Sequence, residues 1–222
     1  MSPTAPLVAQ QSLFGLGIPS CDEQFALIRR TELSRGAWIE HQAGWLSGHQ
    51  SLFDLLLDRV EWEHQQRPMY DRIVDVPRLI GSLPVAAQRG ELGVVAAMGE
   101  ALGHRYGTEF SRIGVGLYRN GRDSVAWHGD QVARDLPQAM VATVSLGEPR
   151  TFSLRPRRLD GVDVVDADDA RNGASRRFRL GHGDLIVMGG TCQRTWEHAV
   201  PKVARAGPRI ALMFRPVWTG PS

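Results

Sequence analysis

The fold is decided by two apolar runs, Ile113-Gly114-Val115-Gly116-Leu117-Tyr118-Arg119 and Met140-Val141-Ala142-Thr143-Val144-Ser145-Leu146. Both runs are short, contain β-branched residues and are bounded by Gly, Pro and Asp, which is typical of β-strands. Four similar segments follow, at residues 150–154, 176–180, 184–188 and 209–215. The second half of the chain is therefore expected to form an antiparallel sandwich or jelly roll.

Upstream of these strands the pattern is mainly helical. Residues 47–62 and 92–106 place apolar side chains at helical spacing, and Ser47 stands at the N-cap position of the first helix. Residues 36–40 predict a strand that enters the core. Residues 63–78 mix arginines with two prolines and fit neither period, so a structured loop is expected there. Helices followed by strands predict the α+β class.

Length and composition favour one globular domain. At 222 residues and 24.5 kDa, the chain is expected to form a single domain over residues 20–220, preceded by a flexible arm of residues 1–19 that is rich in Ser, Pro, Gln and Gly. No apolar run approaches membrane-spanning length, and no secretory signal is evident, so a cytoplasmic protein is expected. Cys21 and Cys192 are interpreted as buried thiols rather than a disulfide framework. A net charge of +2 does not by itself indicate a nucleic-acid partner.

Two separated motifs predict a metal site. In Trp127-His128-Gly129-Asp130, the histidine and the aspartate are two residues apart, so on an extended backbone both side chains leave the same face. His198, within Trp196-Glu197-His198, would supply a second imidazole from a distant strand. Two imidazoles and one carboxylate on one side of a metal leave the other side open for substrate and oxygen.

The last predicted strand adds two cations to the same region. Arg209, Ala211, Met213 and Arg215 share one face by period-two spacing, so both guanidiniums can point into the cavity that would hold the metal. Two arginines suit a dicarboxylate. The alternative for either arginine alone is solvation of an edge strand.

The order of these motifs resembles the AlkB family of iron(II)- and 2-oxoglutarate-dependent dioxygenases. The matching positions are Tyr118, His128, Asp130, residues 144–147, residues 181–190, His198 and residues 209–215. The resemblance implies a double-stranded β-helix (jelly roll) core over about residues 113–216, with the N-terminal helices packed against it. It also implies Fe(II), 2-oxoglutarate as co-substrate and O2.

The resemblance assigns roles to particular residues. The implied iron ligands, which are also the catalytic residues, are His128, Asp130 and His198. Tyr118 and Arg209 correspond to the partners of the far carboxylate of 2-oxoglutarate, and Arg215 would lie near its carboxylate at the metal end. His182 belongs to a second His-x-Asp, but in the family this segment is a turn into a strand, so a structural role is expected for it.

The implied activity is oxidative demethylation of nucleobases. Removal of an N-alkyl group from DNA, or from RNA, would release formaldehyde, succinate and CO2, and the base would have to be unstacked, in a single strand or flipped from a duplex. The family places a substrate lid at about residues 62–78, which here offers Trp62, Met69, Tyr70, Arg72 and Arg78. The candidate substrate contacts are Tyr70, Trp62, Met69 and Arg72. The alternative for Met69 and Tyr70 is that they close the core.

Several positions depart from the family pattern and keep the substrate open. Gly116 and Ala211 stand where asparagines commonly help to bind 2-oxoglutarate, and Gln131-Val132-Ala133 replaces acidic residues that help to read the damaged base. Arginines flank residues 157–175 and either bind phosphates or form a solvated rim; they are Arg155, Arg157, Arg158, Arg176, Arg177 and Arg179. The competing hypotheses are a dioxygenase that hydroxylates a protein or a small molecule, and a non-catalytic nucleic-acid-binding module. Neither a membrane nor an obligate protein partner is expected.

Overall fold

The computed structural model describes residues 16–69, 72–83, 90–110, 112–130, 139–157 and 175–216, and of residues 67–69 and 72–75 it describes the backbone alone. The helices are α1 (His49–Arg59), α2 (Gly93–Tyr106) and the single turn α3 (Cys192–Thr195), with 3-10 turns at Ser34–Gly36 and Gly90–Leu92. Among the described residues, no helix has the length and apolar character that crossing a membrane requires.

Two antiparallel sheets form the body of the described chain. The major sheet has eight strands in the order β2 (Arg29–Glu32), β3 (Ala37–Gln42), β12 (Asp184–Gly190), β9 (Val141–Gly147), β14 (Arg209–Arg215), β7 (Arg112–Tyr118), β6 (Arg72–Ser82) and β5 (Glu63–Met69). The minor sheet has four strands in the order β11 (Arg176–Leu180), β10 (Arg150–Pro156), β13 (Trp196–Val200) and β8 (Val125–His128). A further short ladder joins β1 (Ser20–Cys21) to β4 (Leu46–Ser47). The predicted α+β class and jelly-roll core are confirmed.

The alternation of side chains along each strand divides the core into two buried clusters. On β12, Ile186 belongs to a cluster that also contains Phe152 and Trp196 of the minor sheet, so this cluster fills the space between the sheets. The next residue, Val187, belongs to a second cluster, shared with side chains of α1 and α2 such as Leu56 and Met98. The major sheet is therefore covered by the minor sheet on one face and by helices on the other.

A buried carboxylate ties α2 to the major sheet. Glu40 on β3 is only 5% exposed. Its Oε2 accepts hydrogen bonds from the Arg105 Nη2 at 3.1 Å and from the Tyr106 hydroxyl at 2.6 Å. Burial and the negative charge of Glu40 raise the pKa of Tyr106, so the hydroxyl keeps its proton and remains a donor.

The structured loop expected at residues 63–78 is wrong, because this segment is the β5–β6 hairpin. Strand β6 also pairs with β7, from Leu79 opposite Leu117 to Ser82 opposite Gly114. The register between β5 and β6 shifts between His64 and Gln66, which leaves Pro77 beside an irregularity. A β-bulge tolerates a proline, so Pro77 does not exclude a strand here. Hydrogen bonds between backbone groups hold the hairpin, so its strands need not show the alternation of apolar side chains by which strands are recognised in a sequence.

The expected N-cap at Ser47 is also wrong. Helix α1 begins at His49, and Gly48 precedes it with φ of 59°, a left-handed conformation that favours glycine. A Cβ on Gly48 would lie 2.8 Å from the backbone of Ile18, so the close approach of that segment also requires glycine. Ser47 lies on β4 instead, with its hydroxyl 2.8 Å from that of Ser20.

The two cysteines differ in burial. Both are free, but only Cys192 is fully buried, whereas Cys21 is half-buried. The interpretation as buried thiols therefore holds for Cys192 alone. Burial raises the pKa of Cys192 to about 12, which keeps that thiol protonated and unreactive.

Candidate metal centre

The pairing of two minor-sheet strands brings the predicted histidines together. His128 ends β8 and lies directly opposite His198 of β13, with their ring centroids 4.1 Å apart. The His128 Nδ1 lies 2.9 Å from the carbonyl oxygen of Ala126, which fixes the ring and leaves Nε2 free for a metal. The His198 ring stacks on Phe152, with centroids 5.4 Å apart. Both imidazoles are thus held by neighbours of their own sheet.

Asp130 completes a group that could hold one metal ion. One potential ligand atom from each of His128, Asp130 and His198 lies within 4.8 Å of the others, and no second such group occurs among the described residues. The Asp130 Oδ2 accepts a 2.7 Å hydrogen bond from the Arg215 Nε. Its Oδ1 lies 4.0 Å from the His128 Nε2. One carboxylate oxygen is therefore held by the protein while the other faces the imidazole.

The environment holds these groups in the protonation states that metal binding needs. Burial lowers the pKa of His128, and burial together with the neighbouring His128 lowers that of His198 to about 3. For Asp130, burial opposes ionisation, but the Arg215 guanidinium outweighs it and holds the pKa below its usual range. Two neutral imidazoles and one carboxylate are ligands of the kind that suit Fe(II).

These three residues line a cavity of about 550 Å³ that is also lined by the two predicted arginines of β14. Arg209 is 1% exposed, and its Nε donates to the Ser145 Oγ at 2.9 Å. Its Nη1 has no hydrogen-bond partner among the described residues. Its guanidinium lies 5.0 Å from the ring centroid of Tyr118. A buried guanidinium with a free donor is costly unless an anion reaches it, so the donor set fits the carboxylate of a 2-oxoglutarate molecule.

Arg215 contacts one of the candidate metal ligands. Its guanidinium is paired with Asp130, and its Nη2 lies 3.7 Å from the Met213 Sδ. It lines the same cavity, close to the carboxylate side of the candidate metal centre. The contact described for Arg215 is thus with the candidate ligand Asp130. A contact of Arg215 with a co-substrate carboxylate stays a prediction.

Some residues of the site were not singled out from the sequence. Phe152 could have been found, since it faces the cavity by alternation along β10. Arg78, by contrast, belongs to the expected substrate lid, and it reaches the cavity from β6, a strand that was expected to be a loop. Gln193 could not have been found, because it acts through a contact between distant segments. Ser145 lies in the matching run 144–147, but its bond to Arg209 also joins distant segments and is not visible in the sequence.

The second His-x-Asp is not part of the metal centre. The His182 Nδ1 accepts the backbone N–H of Gly147 at 3.1 Å, and its Nε2 lies 3.1 Å from the Gln50 Oε1. Burial and the neighbouring His49 lower the pKa of His182 to about 4, so the ring is neutral and can accept that N–H bond. Its expected structural role is confirmed.

The candidate substrate residues are only partly described. Tyr70 lies outside the described residues, and Met69 and Arg72 are described as backbone positions that pair at the end of the β5–β6 hairpin. Trp62 does not line the cavity. Its indole Nε1 donates to the Leu57 carbonyl at 3.3 Å, and its side chain packs against the core cluster shared with α1 and α2. The run Gln131-Val132-Ala133 also lies outside the described residues.

Part of the arginine rim lies on the minor sheet. Arg155 is paired with Glu197 at 2.8 Å and covers the ring of Trp127, which is 38% exposed. Arg177 and Arg179 are exposed on β11. Arg158 lies outside the described residues. Phosphate binding by these arginines stays a prediction.

A slightly larger cavity, of about 620 Å³, lies elsewhere, between α1 and the β5–β6 hairpin. Its lining includes Arg59, Glu61 and Glu91 but none of the candidate metal ligands. Size alone does not assign function, so the smaller cavity, which gathers the candidate ligands and the buried guanidinium, is the candidate active site.

A protein-family model covers the part of the chain that contains the candidate metal ligands. The protein-family model of the 2OG-Fe(II) oxygenase superfamily matches residues 94–215, more than half of the chain. This range contains both histidines, the aspartate and the two β14 arginines of the cavity. A solved oxidoreductase of the 2OG-Fe(II) oxygenase family, from Burkholderia pseudomallei, is 15% identical, with a TM-score of 0.48 over 75% of this chain and 77% of that chain.

Relatives at higher identity are AlkB homologues. The alpha-ketoglutarate-dependent dioxygenase alkB homolog 3 of Bos taurus is 30% identical over 77% of this chain and 62% of that protein. The DNA oxidative demethylase ALKBH2 of Arabidopsis thaliana is 36% identical over 49% of this chain and 38% of that protein. The chain thus spans less than two thirds of the length of these relatives. Fe(II), 2-oxoglutarate and O2 are the cofactors that the family implies. The chain belongs to the 2OG-Fe(II) oxygenase superfamily, as an AlkB-like member.

Proposed function

We propose that this protein is an Fe(II)- and 2-oxoglutarate-dependent oxidative demethylase that removes N-alkyl groups from nucleobases. The observation that carries the proposal is one cavity that combines a two-histidine, one-carboxylate group with a buried guanidinium whose Nη1 has no partner among the described residues. The names of the relatives, which include a DNA oxidative demethylase, support nucleic acid as the substrate class.

In this proposal His128, Asp130 and His198 hold the metal. Bound Fe(II), together with 2-oxoglutarate and O2, supplies the oxidising power, with succinate and CO2 as products. The chain's own task is to keep both imidazoles neutral and the carboxylate ionised. Burial keeps the imidazoles neutral, and the Arg215 guanidinium keeps Asp130 ionised, so no ligand has to lose a proton when the metal binds at neutral pH.

Arg209 and Tyr118 are proposed to bind the far carboxylate of 2-oxoglutarate. Arg209 is held from behind by Ser145 and lies against the Tyr118 ring, so its remaining donors are oriented before any ligand arrives. A pre-oriented guanidinium loses little conformational entropy when it binds a carboxylate. Gly116 and Ala211 offer no side-chain hydrogen bond, so more of the affinity rests on Arg209.

Alkylated DNA or RNA, as a single strand or a flipped base, is the proposed substrate. Arg78 and Ile80 line the cavity from β6, so the β5–β6 hairpin forms one of its walls and is proposed as the substrate lid. Met69 and Arg72, at the end of this hairpin, and Tyr70, which follows Met69 in the sequence, are proposed to contact the base or its backbone. A substrate role for Trp62 stays a prediction, and the cytoplasm is the proposed location.

Formaldehyde release from a methylated oligonucleotide tests the proposal. The protein is incubated with Fe(II), ascorbate, 2-oxoglutarate and single-stranded DNA or RNA that carries an N-methylated base. The chain offers a matched control, because His128-Gly129-Asp130 and His182-Gly183-Asp184 contain the same tripeptide. Asp130→Asn should abolish formaldehyde release, whereas Asp184→Asn, measured below its unfolding temperature, should retain it.

The outcomes separate the competing functions. Full turnover by Asp130→Asn would refute the assigned metal site. Succinate formation that no methylated nucleic acid stimulates would indicate a protein or small-molecule substrate. Oligonucleotide binding without uptake of Fe(II) or 2-oxoglutarate would indicate a binding module.

A further inference from the structure

A buried amide faces the backbone of the metal-binding turn. Gln193, on the single-turn helix α3, is 1% exposed. Its Oε1 accepts a hydrogen bond from the backbone N–H of Asp130 at 3.1 Å. Its Nε2 lies 3.6 Å from the Met188 Sδ, a weak acceptor. Of the two hydrogen bonds of the Gln193 side chain, the one with the Asp130 N–H is therefore the stronger.

Asp130 donates this hydrogen bond at a point where the strand ladder has ended. The last pair between β8 and β13 is His128 with His198, and β8 ends at His128. Beyond that point a side chain, rather than a neighbouring strand, satisfies the N–H of Asp130. The direction of the Asp130 backbone, and with it that of the carboxylate, thus depends on Gln193.

The residue between the two candidate ligands is enclosed by the same helix. A Cβ on Gly129 would lie 2.5 Å from the Gln193 carbonyl oxygen and 2.5 Å from the Arg157 Nη2. Real Cβ atoms do not approach backbone so closely, so this turn accepts only glycine without displacement. The turn is held by packing at Gly129 and by a hydrogen bond at Asp130.

We propose that Gln193 is a positioning residue of the metal centre, which orients Asp130 for the metal by accepting its backbone N–H. This inference rests on the proposed metal site. Groups that orient a metal ligand commonly contribute about 10- to 100-fold to metal affinity, because without them the ligand must be ordered when the metal binds. Loss of the acceptor should therefore weaken Fe(II) binding by about 10- to 100-fold.

Two substitutions at this position separate positioning from packing. Gln193→Met keeps the length of the side chain but removes both polar atoms. Gln193→Glu loses the Nε2 contact with Met188 but keeps an oxygen that can accept the Asp130 N–H. The readouts are the Fe(II) dissociation constant, by anaerobic calorimetric titration of the full chain, and urea unfolding of the metal-free protein.

The expected result is a split between the two variants. Gln193→Met should bind Fe(II) about 10- to 100-fold more weakly than wild type, and Gln193→Glu should stay within about threefold. Gln50→Met is the matched control, because Gln50 is also buried, at 3% exposure, but bonds to His182 and Asp54. It should lose stability without losing metal affinity.

Other results would overturn the proposal. Equal Fe(II) affinity in Gln193→Met and wild type, or equal weakening in both Gln193 variants, would reduce Gln193 to a packing residue while leaving the proposed function intact. Absence of Fe(II) binding by the wild-type protein would overturn both.

Discussion

Replacing Arg209 with methionine is expected to weaken 2-oxoglutarate binding and, at the same time, to stabilise the ligand-free protein. The guanidinium is 1% exposed, its Nη1 has no partner and it forms no ion pair with any described residue. An apolar side chain of similar length removes the cost of burying that charge. Replacing buried ions in this way is commonly neutral or stabilising, by up to about 1–4 kcal/mol.

The loss of affinity follows from the same burial. Removing one partner of a buried, hydrogen-bonded charge pair costs about 2–5 kcal/mol, or about 30- to 4,000-fold in dissociation constant. At 100 times its dissociation constant, 2-oxoglutarate should stabilise the wild-type protein by about 2.7 kcal/mol. At that same concentration, a 30-fold weaker variant would gain only about 0.9 kcal/mol.

Anaerobic urea unfolding with saturating Fe(II), with and without 2-oxoglutarate, measures both effects. Arg150→Met provides a matched control, because Arg150 is also buried, at 2% exposure, but donates to the carbonyl oxygens of Asn120, Asp123 and Pro201. This variant should lose stability without ligand, since it strands three acceptors. Undiminished stabilisation of Arg209→Met by 2-oxoglutarate would refute the assignment of Arg209 to the co-substrate.

Three other contacts give measurable outcomes for stability, pH dependence and metal affinity. Glu40→Ala should lower the free energy of unfolding by about 2–3 kcal/mol, since two donors of α2 lose their buried acceptor; a change below about 0.5 kcal/mol in urea unfolding would contradict this. The pKa of His182 is lowered to about 4, so its stabilising effect is complete above pH 6.5 and is lost as the pH falls towards 4. Between pH 7.5 and 5, wild type should lose up to about 2 kcal/mol more than His182→Gln, and parallel losses would exclude this origin. Phe152→Leu should raise the Fe(II) dissociation constant about 3- to 10-fold by releasing the His198 ring, and an unchanged constant in calorimetric titration would show that the stack is not needed.

The strands that are buried on both faces were predictable, because such strands are short continuous apolar runs in the sequence. Strands β9 and β14 are buried along most of their length, and their runs predicted both to within a residue. The hairpin of β5 and β6 was missed because backbone pairing, including a register shift near Pro77, holds a segment of mixed polarity. The start of α1 was missed because the turn before it depends on a contact of Gly48 with Ile18, which local sequence does not report.

The candidate site was likewise predictable only in part: the candidate ligands could be found in the sequence, but the contacts that orient them could not. His128, Asp130 and His198 were identified because their order and residue types carry the chemistry, and the structure brings them together. The pairing of Arg215 with Asp130 and the bond from Asp130 to Gln193 depend on the packing of segments more than 60 residues apart. No spacing rule predicts such contacts, so the groups that orient the ligands become visible only in the folded chain.

Crystals grown anaerobically with Mn(II) and 2-oxoglutarate give the most direct test of the central claim. Anomalous diffraction should locate one metal between the His128 Nε2, the Asp130 Oδ1 and the His198 imidazole, with the far carboxylate of 2-oxoglutarate on the Arg209 guanidinium. A metal bound elsewhere, or a carboxylate that does not reach Arg209, would contradict the account.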